Sequence, residues 1–241
     1  MFIHHGKRRT ARHNLQIGSL LSFVAGMVNV AGFLSVAKLT TNVTGHFAFF
    51  VDEVYRLNLW QGALYFLYIF SFFLGSFISS YLVESVSRIN SRFVYIIPVL
   101  IEAAILLGVG VFGGKFEIEY ADLVACSLLF AMGLQNSLVT RISNAVVRTT
   151  HLTGLFTDMG IEFSQLFFHR EPQNRLQLLA SIRLRLIIIG FFFLGGIFSG
   201  ILYSRIGLRV LACSCAILLL GIAIDLYRLP LRRMFRSARK I

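Results

Sequence analysis

Six apolar stretches, each about as long as a bilayer is thick, dominate this 241-residue chain. They run approximately over Leu15–Val36, Leu59–Val83, Phe93–Gly113, Ala121–Thr140, Leu186–Tyr203 and Gly207–Leu229. A helix crosses roughly 30 Å of hydrocarbon with about 20 such residues. Lipid offers the backbone no hydrogen bonds, so a span must satisfy its own. The stretches therefore predict an all-α, polytopic membrane protein with six transmembrane helices. Composition agrees, because only 14% of residues are charged, against about 25% in a soluble domain. The first stretch follows Lys7, Arg8, Arg9 and Arg12 as a signal peptide would. At about 22 residues it is longer than the usual 7–15 of a signal core, which predicts a retained helix.

The net charge of +12 is read as topogenic, since cytoplasmic loops collect Lys and Arg; no nucleic-acid partner is expected. Two further apolar segments, Val43–Val54 and Leu152–Phe168, are short and studded with polar residues. If both are half-length or re-entrant, both termini share a side and 18 of the 23 Lys and Arg residues fall on it. The loop after the third helix, with Glu117, Glu119 and Asp122, then lies outside. That bias places both termini in the cytoplasm. The expected organisation is a basic head (1–14), a first unit (15–113), a second unit (121–229) and a basic tail (230–241). Around 168–185, Leu176, Leu179 and Ile182 alternate with Arg175, Arg183 and Arg185. This is either a basic amphipathic helix on the inner membrane face or a charged extension of the fifth helix.

The chain also repeats itself. Phe23-Val24-Ala25-Gly26-Met27-Val28-Asn29 aligns with Phe130-Ala131-Met132-Gly133-Leu134-Gln135-Asn136. Val43-Thr44-Gly45-His46-Phe47 aligns with Leu152-Thr153-Gly154-Leu155-Phe156, and Phe72-Phe73-Leu74-Gly75 with Phe192-Phe193-Leu194-Gly195. Each half holds a long helix, a short segment and two long helices. Three crossings per half is an odd number, so the halves are expected to be inverted repeats. Matching interrupted segments in two such halves point to the midplane site of a secondary transporter. A helix that ends inside the membrane leaves backbone N–H groups to be met by protein, water or substrate. Close packing of small residues between helices would produce the same Thr-Gly steps.

Polar residues at membrane depth supply the candidate site. Asn29 and Asn136 occupy matching places, with Gln135 beside the second; they can bind substrate or tie helices together. Thr44, Gly45 and His46 sit on the first short segment, and Thr153, Gly154 and Asp158 on the second, with Arg148 just before it. Glu102 lies near the middle of the third helix, where an ionised carboxylate costs at least about 2.5–3.5 kcal/mol. Desolvation penalises the ionised form of such a group, which makes Glu102 the proton-coupling candidate. A neutral Glu bonded to a neighbouring helix is the plainer reading. No metal site is expected, because the six histidines show no paired ligand spacing. No cofactor motif and no nucleophile–base signature of an enzyme is present. Cys126, Cys213 and Cys215 read as small buried hydrophobes.

At TTNVTGHF and FAMGLQNSLVTRISNAVVRTTHLTGLFTD the sequence resembles the YoaK-like family of bacterial inner-membrane proteins, a domain of unknown function with about six helices. The resemblance spans roughly 15–229. The Gln135-Asn136 pair, Arg148-Thr149-Thr150, the Thr153-Gly154 step and Glu102 follow the family pattern. His46 stands where the family has Asn, and Asn29 where it often has Asp. The resemblance implies a bacterial cytoplasmic membrane and brings no activity with it. The expectation is a small secondary transporter or permease of a small molecule; a non-transporting membrane assembly partner is the alternative. A homodimer would close a site that six short helices leave half enclosed.

Overall fold

Four glycines fix how the long helices meet. The structure, a computed structural model, describes residues 10–88, 94–116, 120–168 and 171–237. Within them the helices are α1 (Ala11–Val36), α2 (Val43–Tyr55), α3 (Leu59–Ser87), α4 (Ile96–Phe116), α5 (Ala121–Ser143), α6 (Leu152–Phe168), α7 (Pro172–Ile206) and α8 (Val210–Ser237). A 3-10 turn, Gly207–Arg209, joins the last two, and no strand occurs among the described residues. Lys7, Arg8, Arg9, Arg92, Glu117, Glu119, Arg170, Arg239 and Lys240, which carried part of the charge argument, lie outside them.

On α1, a Cβ at Gly26 would stand 2.0 Å from the Phe192 carbonyl oxygen of α7, and one at Gly195 would stand 2.0 Å from the Phe23 oxygen. On the other pair, a Cβ at Gly133 of α5 would stand 2.1 Å from the Phe72 oxygen of α3, and one at Gly75 2.1 Å from the Phe130 oxygen. No side chain fits at such distances, so only glycine lets these backbones touch. The residues involved are the ones the repeat aligns. Ser199 and Ser76 reinforce the crossings by donating to the carbonyls of Met27 and Gly133, at 2.9 and 3.1 Å.

Helix directions follow from the same contacts. Gly18 faces Ile188, Met27 meets Ser199 and Gly200 faces Val30, so α1 and α7 run parallel. Tyr68 bonds Asp122 and Arg141 bonds Ser80, so α3 and α5 run parallel as well. By contrast, α1 and α5 run antiparallel: Gln135 reaches Leu21 while Gly32 faces Leu128. α1 and α5 end alike. Ala37 and Asn144, aligned by the repeat, both adopt the left-handed conformation, with φ of 52° and 53°. Asn tolerates that conformation better than Ala does.

Among the described residues, five stretches are long and apolar enough to cross a membrane: Ala11–Val36, Leu59–Ser87, Ile96–Gly114, Ala121–Ser143 and Pro172–Tyr227. The last has 56 residues and turns at Gly207, where φ is +59°. α2 and α6 are the short segments, of 13 and 17 residues. α2 packs chiefly on α3, and α6 chiefly on α7. The region from 172 to 185 is the continuous N-terminal part of α7, which is the charged-extension alternative. The core is centred on α1 and α5, whose Leu21, Met27, Leu128 and Met132 are fully buried.

Candidate functional site

Both short helices begin at one cavity. It has a volume of about 970 Å³ and is lined from both halves. Thr41 and Thr150, Asn42 and His151, Val43 and Leu152, Thr44 and Thr153, Gly45 and Gly154, and Phe72 and Phe192 all line it. Each of these is a pair that the repeat aligns. Asn29 and Ser76 add polar atoms, while Leu39, Ile69 and Phe73 complete apolar walls. No Asp, Glu, Lys or Arg is among the lining residues. The first turns of α2 and α6 therefore supply the fixed polarity. A helix N-terminus carries roughly +0.5 of an elementary charge, and its free N–H groups suit an anion.

Matched hydrogen bonds hold each short helix at this place. Thr41 Oγ1 donates to Asn29 Oδ1 at 2.7 Å, and Thr150 Oγ1 to Asn136 Oδ1 at 2.9 Å. Thr40 Oγ1 donates to the Val28 carbonyl at 3.1 Å; its counterpart Thr149 donates to Asn136 Oδ1 at 3.4 Å. The lead into α2 is thus tied to α1, and the lead into α6 to α5. The two starts then differ. Asn42 caps α2 by accepting from Gly45 N at 3.1 Å, whereas His151 occupies the corresponding place before α6.

Of the residues singled out from sequence, Asn29, Thr44, Gly45, Thr153 and Gly154 come together at the cavity. Arg148 is exposed and holds its Nη1 3.7 Å from where a Gly154 Cβ would stand, beside the start of α6. Asn136 lies behind Thr150. Gln135 is fully buried and donates from Nε2 to the Leu21 carbonyl and Thr149 Oγ1; it braces α1, α5 and the lead into α6. His46 is buried behind α2. Its Nε2 lies 2.7 Å from the Leu39 carbonyl, an acceptor only, so Nε2 carries the proton. The ring packs against Tyr68 and Tyr65. Asp158 pairs with Arg185 at 3.2 Å, on the face of α6 toward α7.

Glu102 is 0% exposed, and neither carboxyl oxygen has a hydrogen-bond partner among the described residues. It is not among the residues lining the cavity. Sequence reading gave Thr41 and Thr150 no place in the site, because threonine in a loop carries no signal until its partner is known. It also passed over Asp225. This carboxylate in the apolar run GIAIDLYR is 7% exposed and lines a separate cavity of about 460 Å³ between α1, α7 and α8. The rule that flags intramembrane carboxylates could have found it.

The helices and the shared cavity define a membrane-spanning helical protein in which two short helices converge. Residues 17–224 match the family described as "Protein of unknown function (DUF1275)", and the chain belongs to that family. No curated protein and no solved structure matches it.

Proposed function

We propose that the protein is a small secondary transporter or permease whose substrate site is the cavity between α2 and α6. The observation that carries this reading is the lining of one cavity by repeat-aligned pairs from both short helices. Two inverted three-helix halves making six crossings account for it. Antiparallel α1 and α5, the two glycine crossings and the turn at Gly207 support that arrangement. Rocking of one half about the other at the glycine contacts would open the cavity to alternate sides. The setting is a bacterial cytoplasmic membrane with both termini inside, as the YoaK-like resemblance and the distribution of Arg and Lys suggest.

Two helix N-termini, Arg148 and an absence of carboxylates from the lining favour a small anion or a polar neutral molecule. Glu102 is the proton-coupling group of this proposal, acting from within the core rather than from the cavity wall. The test is thermal stabilisation of the purified protein by a panel of small carboxylates, phosphates and neutral metabolites. A ligand at about 100 times its Kd adds about 2.7 kcal/mol, and Gly154→Phe is expected to remove that gain. If no compound stabilises the wild type, the cavity is not a substrate site. Topology is tested with single cysteines at Ser91, Ile118 and Gln173, probed by an impermeant reagent. Labelling from outside at Ile118 alone is expected; labelling at Ser91 instead would undo the inverted arrangement.

A further inference from the structure

α7 and α8 meet each other little beyond the turn at Gly207, and α1 fills the floor between them. The resulting cleft holds the cavity of about 460 Å³ that Asp225 lines, within the range of roughly 300–1,000 Å³ seen for small-molecule sites. Ser214 Oγ donates to Met27 Sδ at 3.5 Å, and from that contact α8 runs back toward the start of α1. Asp225 therefore comes level with Gln16, Gly221 with Leu20, and Ile217 with Phe23. The cavity is polar at one end, where Gln16, Ser19 and Asp225 meet, and apolar at the other, where Phe23, Phe191 and Ile217 meet. Gly221 brings no side chain to its middle, which leaves the space open. The polar end lies within two turns of the start of α1, near the membrane surface.

We propose that this cleft binds one membrane lipid with a primary-amine headgroup, an aminophospholipid of the phosphatidylethanolamine type. Phe191 and Ile224 on its rim are 39% and 43% exposed, so the cleft opens sideways, where the medium around a membrane-spanning chain is lipid. One acyl chain fills the apolar end. At the polar end, Asp225 is the one ionisable group among the described residues lining the cavity, and a carboxylate only accepts hydrogen bonds. Ser19 Oγ gives its proton to the Gln16 carbonyl at 3.2 Å, which leaves the oxygen free to accept. With the Gln16 amide oxygen, these acceptors suit the N–H groups of an ammonium. Arg12 is exposed and stands one turn before Gln16 on the same face of α1, level with the lipid's phosphate. A headgroup without an amine meets the charge of Asp225 unfavourably, and a quaternary ammonium has no N–H to offer. The chain's net charge of +12 attracts anionic lipid in general, so a preference for the amine marks this cleft. It shares no lining residue with the cavity between α2 and α6 and does not depend on that cavity's function.

The experiment titrates the detergent-purified protein with short-chain phosphatidylethanolamine, phosphatidylglycerol and phosphatidylcholine, and with an alkylamine of the same chain length. Bound molecules are counted by native mass spectrometry. One phosphatidylethanolamine per chain is expected to bind about tenfold more tightly than either other lipid, the ratio that one charge-assisted hydrogen bond supports. Asp225→Asn should bring the three lipids to nearly equal affinity. Gly221→Leu, which fills the middle of the cavity, should remove the single tight binding event. Thr44→Ala, at the cavity between α2 and α6, should keep the wild-type preference. Equal affinity of the wild type for the three lipids overturns the proposal. So does a preference for phosphatidylethanolamine that survives both Asp225→Asn and Gly221→Leu. An alkylamine that binds as tightly as phosphatidylethanolamine also overturns it, by showing that the occupant is a free amine rather than a phospholipid.

Discussion

The two short helices share a scaffold and differ in what fastens them. Where α2 meets α3 the contact is aromatic: Phe49 stacks on Tyr65 at 5.3 Å, and His46 packs on Tyr68 at 5.1 Å. Lys38 lies over the Tyr65 ring at 5.1 Å. Where α6 meets α7 the repeat puts Asp158 opposite Phe49 and Arg185 opposite Tyr65, and the contact is ionic. Aromatic packing responds little to salt or pH, whereas ion pairs respond to both. A pair of elements built on one backbone plan can thus be made to answer different conditions by the side chains between them. The glycine crossings, by contrast, are alike in the two helix pairs.

The largest effect expected is at what the halves share. Gly26→Ala and Gly133→Ala each drive a Cβ into a backbone oxygen, so each should cost at least about 3 kcal/mol. Gly108→Ala, where a Cβ meets nothing within 4 Å, should be neutral or slightly stabilising. Thermal melts of the detergent-purified variants check this, and equal losses at Gly26 and Gly133 would sharpen the kinship of the two crossings. Next come the fasteners. Arg185→Ala should cost about 1–3 kcal/mol by leaving Glu162 buried without its partner. Tyr68→Phe should cost about 1 kcal/mol through the lost hydrogen bond to Asp122. Hydrogen exchange should show the first change spreading through α6 and the second confined to α2, α3 and α5. If exchange rises equally in α2 and α6 for either variant, the fasteners are not independent.

Smaller effects discriminate further. Ala37→Gly relieves a left-handed alanine and should stabilise by up to about 1 kcal/mol; Asn144→Gly should gain only a few tenths of that. Raising salt toward about 1 M, where the Debye length is about 3 Å, should speed exchange in α6 and leave α2 unchanged. Equal acceleration in both would dissolve the contrast between the two arms.

Much of this architecture was readable from sequence, for a physical reason. Lipid allows few solutions, so apolar length locates the long helices, and the short segments expected at 43–54 and 152–168 are α2 and α6 to within a residue. The matches at Phe23–Asn29 and Phe130–Asn136 carried packing information. They mark the glycines where backbones touch and the asparagines that hold the loops. The site was less readable. His46 and Thr44 are two residues apart on one short helix, yet one is buried behind it and the other faces the cavity. Sequence cannot say which side of a short helix faces what until the neighbouring helix is placed. Asp158 was read as a binding group, and its structural surroundings are Arg185 and α7, because a carboxylate answers to the nearest cation rather than to its motif.

One dimension of α7 has a mechanical meaning. Its 35 residues make a rod of about 52 Å at 1.5 Å per residue, in a hydrocarbon slab about 30 Å thick. It lies against α1 from Ile188 to Gly200, with the closest approach at Gly195. From that closest approach to Pro172 is about 35 Å, and to Ile206 about 16 Å. The rod is a lever with unequal arms, and α6 rides on the long one. A tilt about that contact moves the Pro172 end, with the exposed Phe167 and Phe168 of the adjoining α6, about twice as far as the end at Gly207.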